Sequence, residues 1–185
     1  MNRREFVQSA MIAGAAFGMG PLSSVAAPGV SAAGVSVIFD PRYSDARAFS
    51  QTFHELGAST FAVGPVDVVA LWRSQLLALR PRAIVGLTTH SDLELVRGCA
   101  NEIGLKLQCE IFHDSRGRST VEHRITRGGS AALIRGLAAS GTAWPAALAS
   151  VMSEGSSEWA SKPAPLLSAP KAADHPGTLV SWLLA

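Results

Sequence analysis

Charged residues make up only 16% of this 185-residue chain and aromatic residues 6%, with a single tyrosine. The charges nearly cancel, at a net +2, so the chain lacks the basic face that a nucleic-acid binder needs. Long apolar runs are missing as well. None reaches the roughly 18 residues of a membrane-spanning helix, so no membrane span is expected in the body of the chain. Gly-x-Gly-x-x-Gly and Gly-Lys-Ser/Thr phosphate loops, Cys-x-x-Cys pairs, haem-attachment sequences and the Gly-x-Ser-x-Gly elbow are all absent. No cofactor is therefore expected. What is present is 48% apolar residues, the composition of a globule with a real core.

Cysteine is scarce too, and the two present are read as free buried thiols. Cys99 falls on an expected helix and Cys109 on the following strand, each five residues from Gly104. A helix advances roughly 1.5 Å per residue and a strand roughly 3.3 Å, leaving the two about 9 Å out of step. A disulfide tolerates Cα separations up to about 7 Å.

The first 33 residues read as a leader. Arg3 and Arg4 precede Phe6, a weakly apolar Gly/Ala/Met stretch covers residues 10–20, and small-residue cleavage sites end at Ala26 and at Ala33. This pattern resembles a twin-arginine export signal, which implies periplasmic delivery of an already folded chain and suggests a cofactor, fast folding or a partner carried along. Without Arg3, Arg4 and Glu5 the chain keeps 14 basic and 13 acidic residues.

The body of the chain, residues 34–153, alternates strand and helix. Val35–Asp40 reads as a strand, followed by a helix capped by Ser44 with Ala46, Phe49, Phe53 and Leu56 on one face. Ser59–Gly64 reads as a second strand, followed by a helix with Val69, Trp72, Leu76 and Leu79 inward. Ala83–Leu87 is a third strand, and Ser91 with Glu94 suggests a capping box for a helix carrying Leu93, Val96, Ala100 and Ile103. That rhythm predicts an α/β fold, a three-layer sandwich with a parallel βαβαβα core of flavodoxin or Rossmann-like type. Leu105–His113 and Thr120–Thr126 alternate around a turn at Asp114–Arg118, so the sheet is expected to gain an antiparallel hairpin edge. Gly128-Gly129-Ser130 starts a helix over Ala131–Ala139, and Trp144-Pro145 restarts one. Residues 154–177 are a Pro/Ser/Ala-rich arm, and the apolar run 178–185 docks as a last strand covered on both sides.

Candidate site residues follow from the strand ends. Ligands of open α/β sheets bind outside the carboxyl ends of strands at a switch point. With strand order 2-1-3, Asp40, Arg42, Tyr43 and Ser44 after the first strand face Thr88, Thr89 and His90 after the third. That set suits a small polar or anionic ligand. It also allows a small periplasmic enzyme that uses His90 as general base with Asp40 and Arg42. The opposing account is that Asp40 and Arg42 pair and the threonines satisfy loop backbone. His113 and His123 share parity on the hairpin, and with Glu110 would make a zinc-type donor set. Glu110 has the opposite parity, however, and the spacing matches no metal motif, so cross-strand pairs such as Glu110 with Arg124 are the alternative and no metal is assigned. Arg124, Arg127 and the Gly128-Gly129-Ser130 helix start sketch an anion site or a flexible turn. Trp144, Trp159 and Trp182 in the C-terminal third suggest a surface for a co-exported protein partner. The absence of a nucleophile or cofactor motif favours an exported non-catalytic accessory subunit or small ligand-binding module over the enzyme.

Overall fold

The structure, a computed structural model, describes residues 34–64, 67–115, 119–154 and 166–185. The leader, Pro65, the turn tip at 116–118 and Trp159 lie outside the described residues. Three short runs form β1 (Val35–Phe39), β2 (Ser59–Ala62) and β3 (Ala83–Thr88), which pair in parallel in the order β2-β1-β3, the apolar β1 and β3 largely buried and β2 at the edge. Between β1 and β2 lies α1 (Ser44–Glu55). Between β2 and β3, α2 (Val68–Leu71) runs through a π-helical turn (Trp72–Leu76) into α3 (Leu77–Leu79). The π turn rotates the apolar stripe relative to a regular helix. Val68, Leu71, Trp72 and Leu76 are therefore the buried residues, while Leu79, expected inward, is 54% exposed.

After β3 comes α4 (His90–Ala100), then the hairpin strands β4 (Leu107–Asp114) and β5 (Thr120–Arg127). Helices α5 (Ala131–Ala139) and α6 (Trp144–Ser153) follow, with Ser130 accepting from the Leu133 amide as N-cap and Pro145 in the first turn of α6. Residues 167–170 of the expected arm form an edge strand, β6 (Leu167–Pro170), paired with β5. Ala169 points inward, and a proline is tolerated there because the strand is at an edge.

The closing strand β7 (Thr178–Leu184) lies antiparallel between β3 and β4, giving one mixed sheet of order β2-β1-β3-β7-β4-β5-β6. Along it, Leu179 and Leu183 join one apolar cluster, with α1, α5 and α6, while Val180, Trp182 and Leu184 join another, with α2 and α4. Trp144 and Trp182 are fully buried within these clusters, which corrects their reading as a partner surface. Gly86 faces Trp182 in the β3–β7 register, and a Cβ there would stand 2.2 Å from the indole. Only glycine lets that ring lie against β3.

The hairpin departs from simple alternation. A register shift between Leu107 and Cys109 makes Gln108 an extra residue, so Leu107 packs with the second cluster while Cys109 and Ile111 enter the first. Gly128, at φ +55°, is required against this bulge, since a Cβ would lie 2.2 Å from the Gln108 carbonyl oxygen. Cys99 and Cys109 are both free.

Candidate binding site at the carboxyl end of the sheet

The loops after β1 and β3 lie at the same end of the sheet, but the side-chain contacts of each stay with its own partners. Asp40 is fully buried, and the Arg42 guanidinium forks onto its carboxylate through Nε (2.9 and 3.1 Å) and Nη2 (2.6 Å). That hydrogen bonding and charge raise the Arg42 pKa further above its ordinary value. Arg42 also stacks over Tyr43, 5.3 Å from the ring centroid. Tyr43, not Ser44, occupies the N-cap of α1 and makes no side-chain cap. The cap is supplied from far along the chain. Asp174, between β6 and β7, accepts from the Ser44 backbone N (2.7 Å) and from the Ser44 hydroxyl, with Arg47 at 3.3 Å. Partial burial pushes this carboxyl up, but the Ser44 hydrogen bonds and Arg47 outweigh it and hold Asp174 below the usual range. Behind it, burial and then the Asp174 charge push Asp45 up to about 6.

Thr88 is buried, accepting from Trp182 Nε1 at 3.1 Å and donating to the Thr89 carbonyl. Thr89 is the N-cap of α4: its hydroxyl donates to the Asp92 carboxylate (2.6 Å) and accepts from the Asp92 amide (3.4 Å). This pairing starts the helix two residues before the expected Ser91–Glu94 box, because the Thr89 hydroxyl reaches the free amides first. His90 is half-exposed, with Nε2 3.8 Å from Glu94, 3.9 Å from Glu110, and its ring 5.5 Å from Phe112. These three side chains are a set that could hold a metal ion. Competing partners already hold them, however: Arg97 pairs with Glu94 at 2.8 Å and the Thr126 hydroxyl donates to Glu110. Arg124 lies 3.7 Å from Asp114 and over Phe112, while Arg127 lines a shallow groove with Arg97, Lys106 and Glu110.

The other polar cluster at this end was only half foreseen. His113 and His123 are directly opposed in the β4–β5 register, fully buried, with their Nδ1 atoms 2.8 Å apart. His113 Nε2 lies 2.9 Å from the Ser181 hydroxyl on β7, and its ring stacks on Trp144 with centroids 4.4 Å apart. His175, beside the capping Asp174, completes the group and is 7% exposed. Burial lowers all three imidazoles. His113 lies well below its ordinary value, with His123 and His175 adding to the effect. His123 falls to about 4 through burial and then His175. His175 also falls to about 4, through burial and Lys171 against the opposing pull of Asp114 and Asp174. Among the described residues, His123 Nε2, both ring nitrogens of His175 and Trp144 Nε1 find no hydrogen-bond partner.

Shared parity pointed to the two hairpin histidines, whereas Glu110 lies by parity on the opposite face, beside His90. His175, Ser181 and Trp144 carried no sequence signal for this role, because long-range pairing brings them in. Compared with protein-family models, curated proteins and solved structures, the chain matches none.

Proposed function

We propose that this chain is an exported, non-catalytic binding module: a twin-arginine leader over residues 1–33, then a three-layer, Rossmann-like sandwich holding a small polar ligand at the carboxyl end of its sheet. The observation that carries the reading is the buried histidine cluster. Buried polar atoms are nearly always bonded, and leaving one unpaired costs roughly 1–3 kcal/mol. Four unpartnered nitrogens on three neighbouring side chains are a concentration of binding capacity that a core does not need. Apolar clusters fed alternately by β3 and β7, with helices in each, support the layered architecture.

The side chains of the enzymatic alternative are engaged elsewhere: Asp40 is forked by Arg42, and His90 meets Glu94, Glu110 and Phe112. That favours binding over proton transfer between His90 and Asp40. The test is recovery of the chain from the periplasm and native mass spectrometry without added ligand. A bound mass that disappears in His175→Gln is expected. Periplasmic accumulation should be lost when Arg3 and Arg4 are both replaced by lysine. A ligand-free mass spectrum for protein taken straight from the periplasm would overturn the binding role. Undiminished export of the double-lysine chain would overturn the leader assignment.

A further inference from the structure

We propose that His90, Glu94 and Glu110 form a site for a divalent first-row transition-metal ion, zinc above all, on the face of the sheet opposite the buried histidines. The proposal goes beyond the binding-module reading and stands on different residues. Its three side chains come from two elements. His90 opens α4 and Glu94 follows at i+4, so one helical turn stacks the two on the same face. Glu110 reaches them from β4. It stands opposite Trp182 in the β4–β7 register, and Trp182 packs in the cluster that α4 covers, so both side chains turn towards α4. One donor atom from each residue, His90 Nε2, Glu94 Oε1 and Glu110 Oε1, lies within 4.8 Å of the other two. The imidazole–carboxylate distances are 3.8 Å to Glu94 and 3.9 Å to Glu110.

What separates this set from an ordinary surface ion pair is which oxygens are taken. The Arg97 guanidinium holds Glu94 at Oε2, 2.8 Å away, and the Thr126 hydroxyl donates to Glu110 at Oε2. Each carboxylate is fixed by its second oxygen and turns Oε1 towards the His90 ring. Ligating carboxylates are commonly held in this way, by hydrogen bonds of their own. Phe112, with its ring 5.5 Å from that of His90, packs beside the imidazole. Four-coordinate zinc, with bonds of about 2.0–2.2 Å, spaces neighbouring donors roughly 3.3–3.6 Å apart. The His90 and Glu94 side chains, 50% and 39% exposed, have room for that contraction, while Glu110 at 14% is the member held in place. A divalent ion also offsets the charge of two carboxylates brought together. One imidazole among the donors favours a first-row transition ion over calcium or magnesium, which take oxygen ligands. Three protein donors leave the fourth position to water or a small anion.

The test uses the purified chain, dialysed against a chelator and titrated calorimetrically with Zn²⁺, with Mg²⁺ in a parallel titration. One equivalent of Zn²⁺ should bind and raise the melting temperature, while Mg²⁺ does neither. His90→Gln and Glu110→Gln should each weaken Zn²⁺ binding by at least about tenfold and cancel the thermal shift. Thr126→Val should weaken it by about 10–100-fold, as loss of a partner behind a ligating group does. His175→Gln should leave Zn²⁺ binding unchanged, which separates this site from the buried histidine cluster. His90 is half-exposed, so its variant is the decisive one if Glu110→Gln fails to fold, as judged by circular dichroism. Absence of Zn²⁺ uptake, or uptake undiminished in His90→Gln, would overturn the proposal. Uptake lost in His175→Gln and retained in His90→Gln would overturn it by moving the ion to the histidine cluster. Equal uptake of Mg²⁺ would overturn the transition-metal assignment.

Discussion

On the two sides of β7 the same strand meets opposite solutions to buried polarity. On the β3 side, the indole N–H of Trp182 donates to the Thr88 hydroxyl, Thr88 donates to the Thr89 carbonyl, and Thr89 caps α4 through Asp92. Every step ends in a partner. On the β4 side, Ser181 meets His113 and His113 meets His123, but the relay stops at His123 Nε2 and at the neighbouring Trp144 Nε1. Both tryptophans are fully buried, so the difference is not one of exposure. A closed relay contributes stability and nothing more. An open one costs stability, and that cost is why we propose the β4 side as the place for a ligand.

Removing the shared strand should abolish both sides at once, and this is the largest effect expected. Leu179, Val180, Trp182 and Leu184 are all fully buried. Burial of each such side chain is worth roughly 1.5–3 kcal/mol, against about 5–15 kcal/mol for a whole domain. Deletion of residues 178–185 should therefore leave a chain with no cooperative thermal transition by circular dichroism. A retained transition would mean that β3 and β4 can close without it. A more selective break is Gly86→Ala, whose methyl would collide with the Trp182 ring on the β3 side only. Overpacking of this kind costs typically 1–3 kcal/mol and here should reach the top of that range. Adding Trp182→Leu should recover part of the loss in a double-mutant cycle. Simple additivity of the two would show that the ring is not what the methyl meets.

These two sides were unequally visible in the sequence. The strand–helix rhythm and the docking of the apolar tail follow from local periodicity and from the cost of an exposed Trp182 and its neighbours, whereas the 2-1-3 order needed the structure. The polar loops at Asp40 and Thr88 could be placed at the strand ends, but their mutual pairing could not be separated from ligand binding without geometry. The β4 side was half visible: His113 and His123 share parity within one hairpin, so local spacing sufficed. His175 and Ser181 lie more than 50 residues from them, joined only because β7 inserts between β3 and β4. The Gln108 bulge and the π turn at Trp72–Leu76 escaped for a related reason, since each adds one residue to an otherwise regular count.

The pH dependence of stability should separate the two sides further. Burial holds His123 and His175 down near 4 in the folded chain, against about 6.5 when unfolded. Between those values the unfolded chain binds more protons, so this contribution is complete above about pH 6.5 and is lost as the pH falls towards 4. Asp45 opposes it. Its folded value of about 6 lies above the ordinary 3.8, so its protonation favours the folded state as the pH drops through 6. Two imidazoles, with His113 lowered further still, outweigh one carboxyl. The melting temperature should therefore fall between pH 6.5 and 4, more gently in His175→Gln and more steeply in Asp45→Asn. An Asp45→Asn chain that is also more stable at pH 8 would confirm that its carboxylate is ionised there at a cost. A pH-independent melting temperature across this range would mean that the imidazoles protonate freely in the folded state.

The smallest effect, and the sharpest test of the closed side, lies in the contrast between Arg42 and His90. Both are largely exposed residues on loops or helix starts, and the sequence alone treats them alike. The structure does not. The guanidinium of Arg42 holds a carboxylate that is itself fully buried, so Arg42→Ala leaves Asp40 ionised with only a backbone amide, that of residue 42, for company. Removing one partner of such a pair costs more than the pair is worth, because the desolvated charge remains. His90 faces Glu94 and Glu110 across 3.8–3.9 Å at half exposure, and His90→Ala should stay within about 0.5 kcal/mol of the parent. Arg42→Ala should therefore melt well below His90→Ala at pH 7. The gap should narrow in an Asp40→Asn background, where no buried charge is left unpaired. Equal melting temperatures for the two single variants would show that water reaches Asp40 once Arg42 is gone, and that the β3 side is less closed than its hydrogen bonds imply.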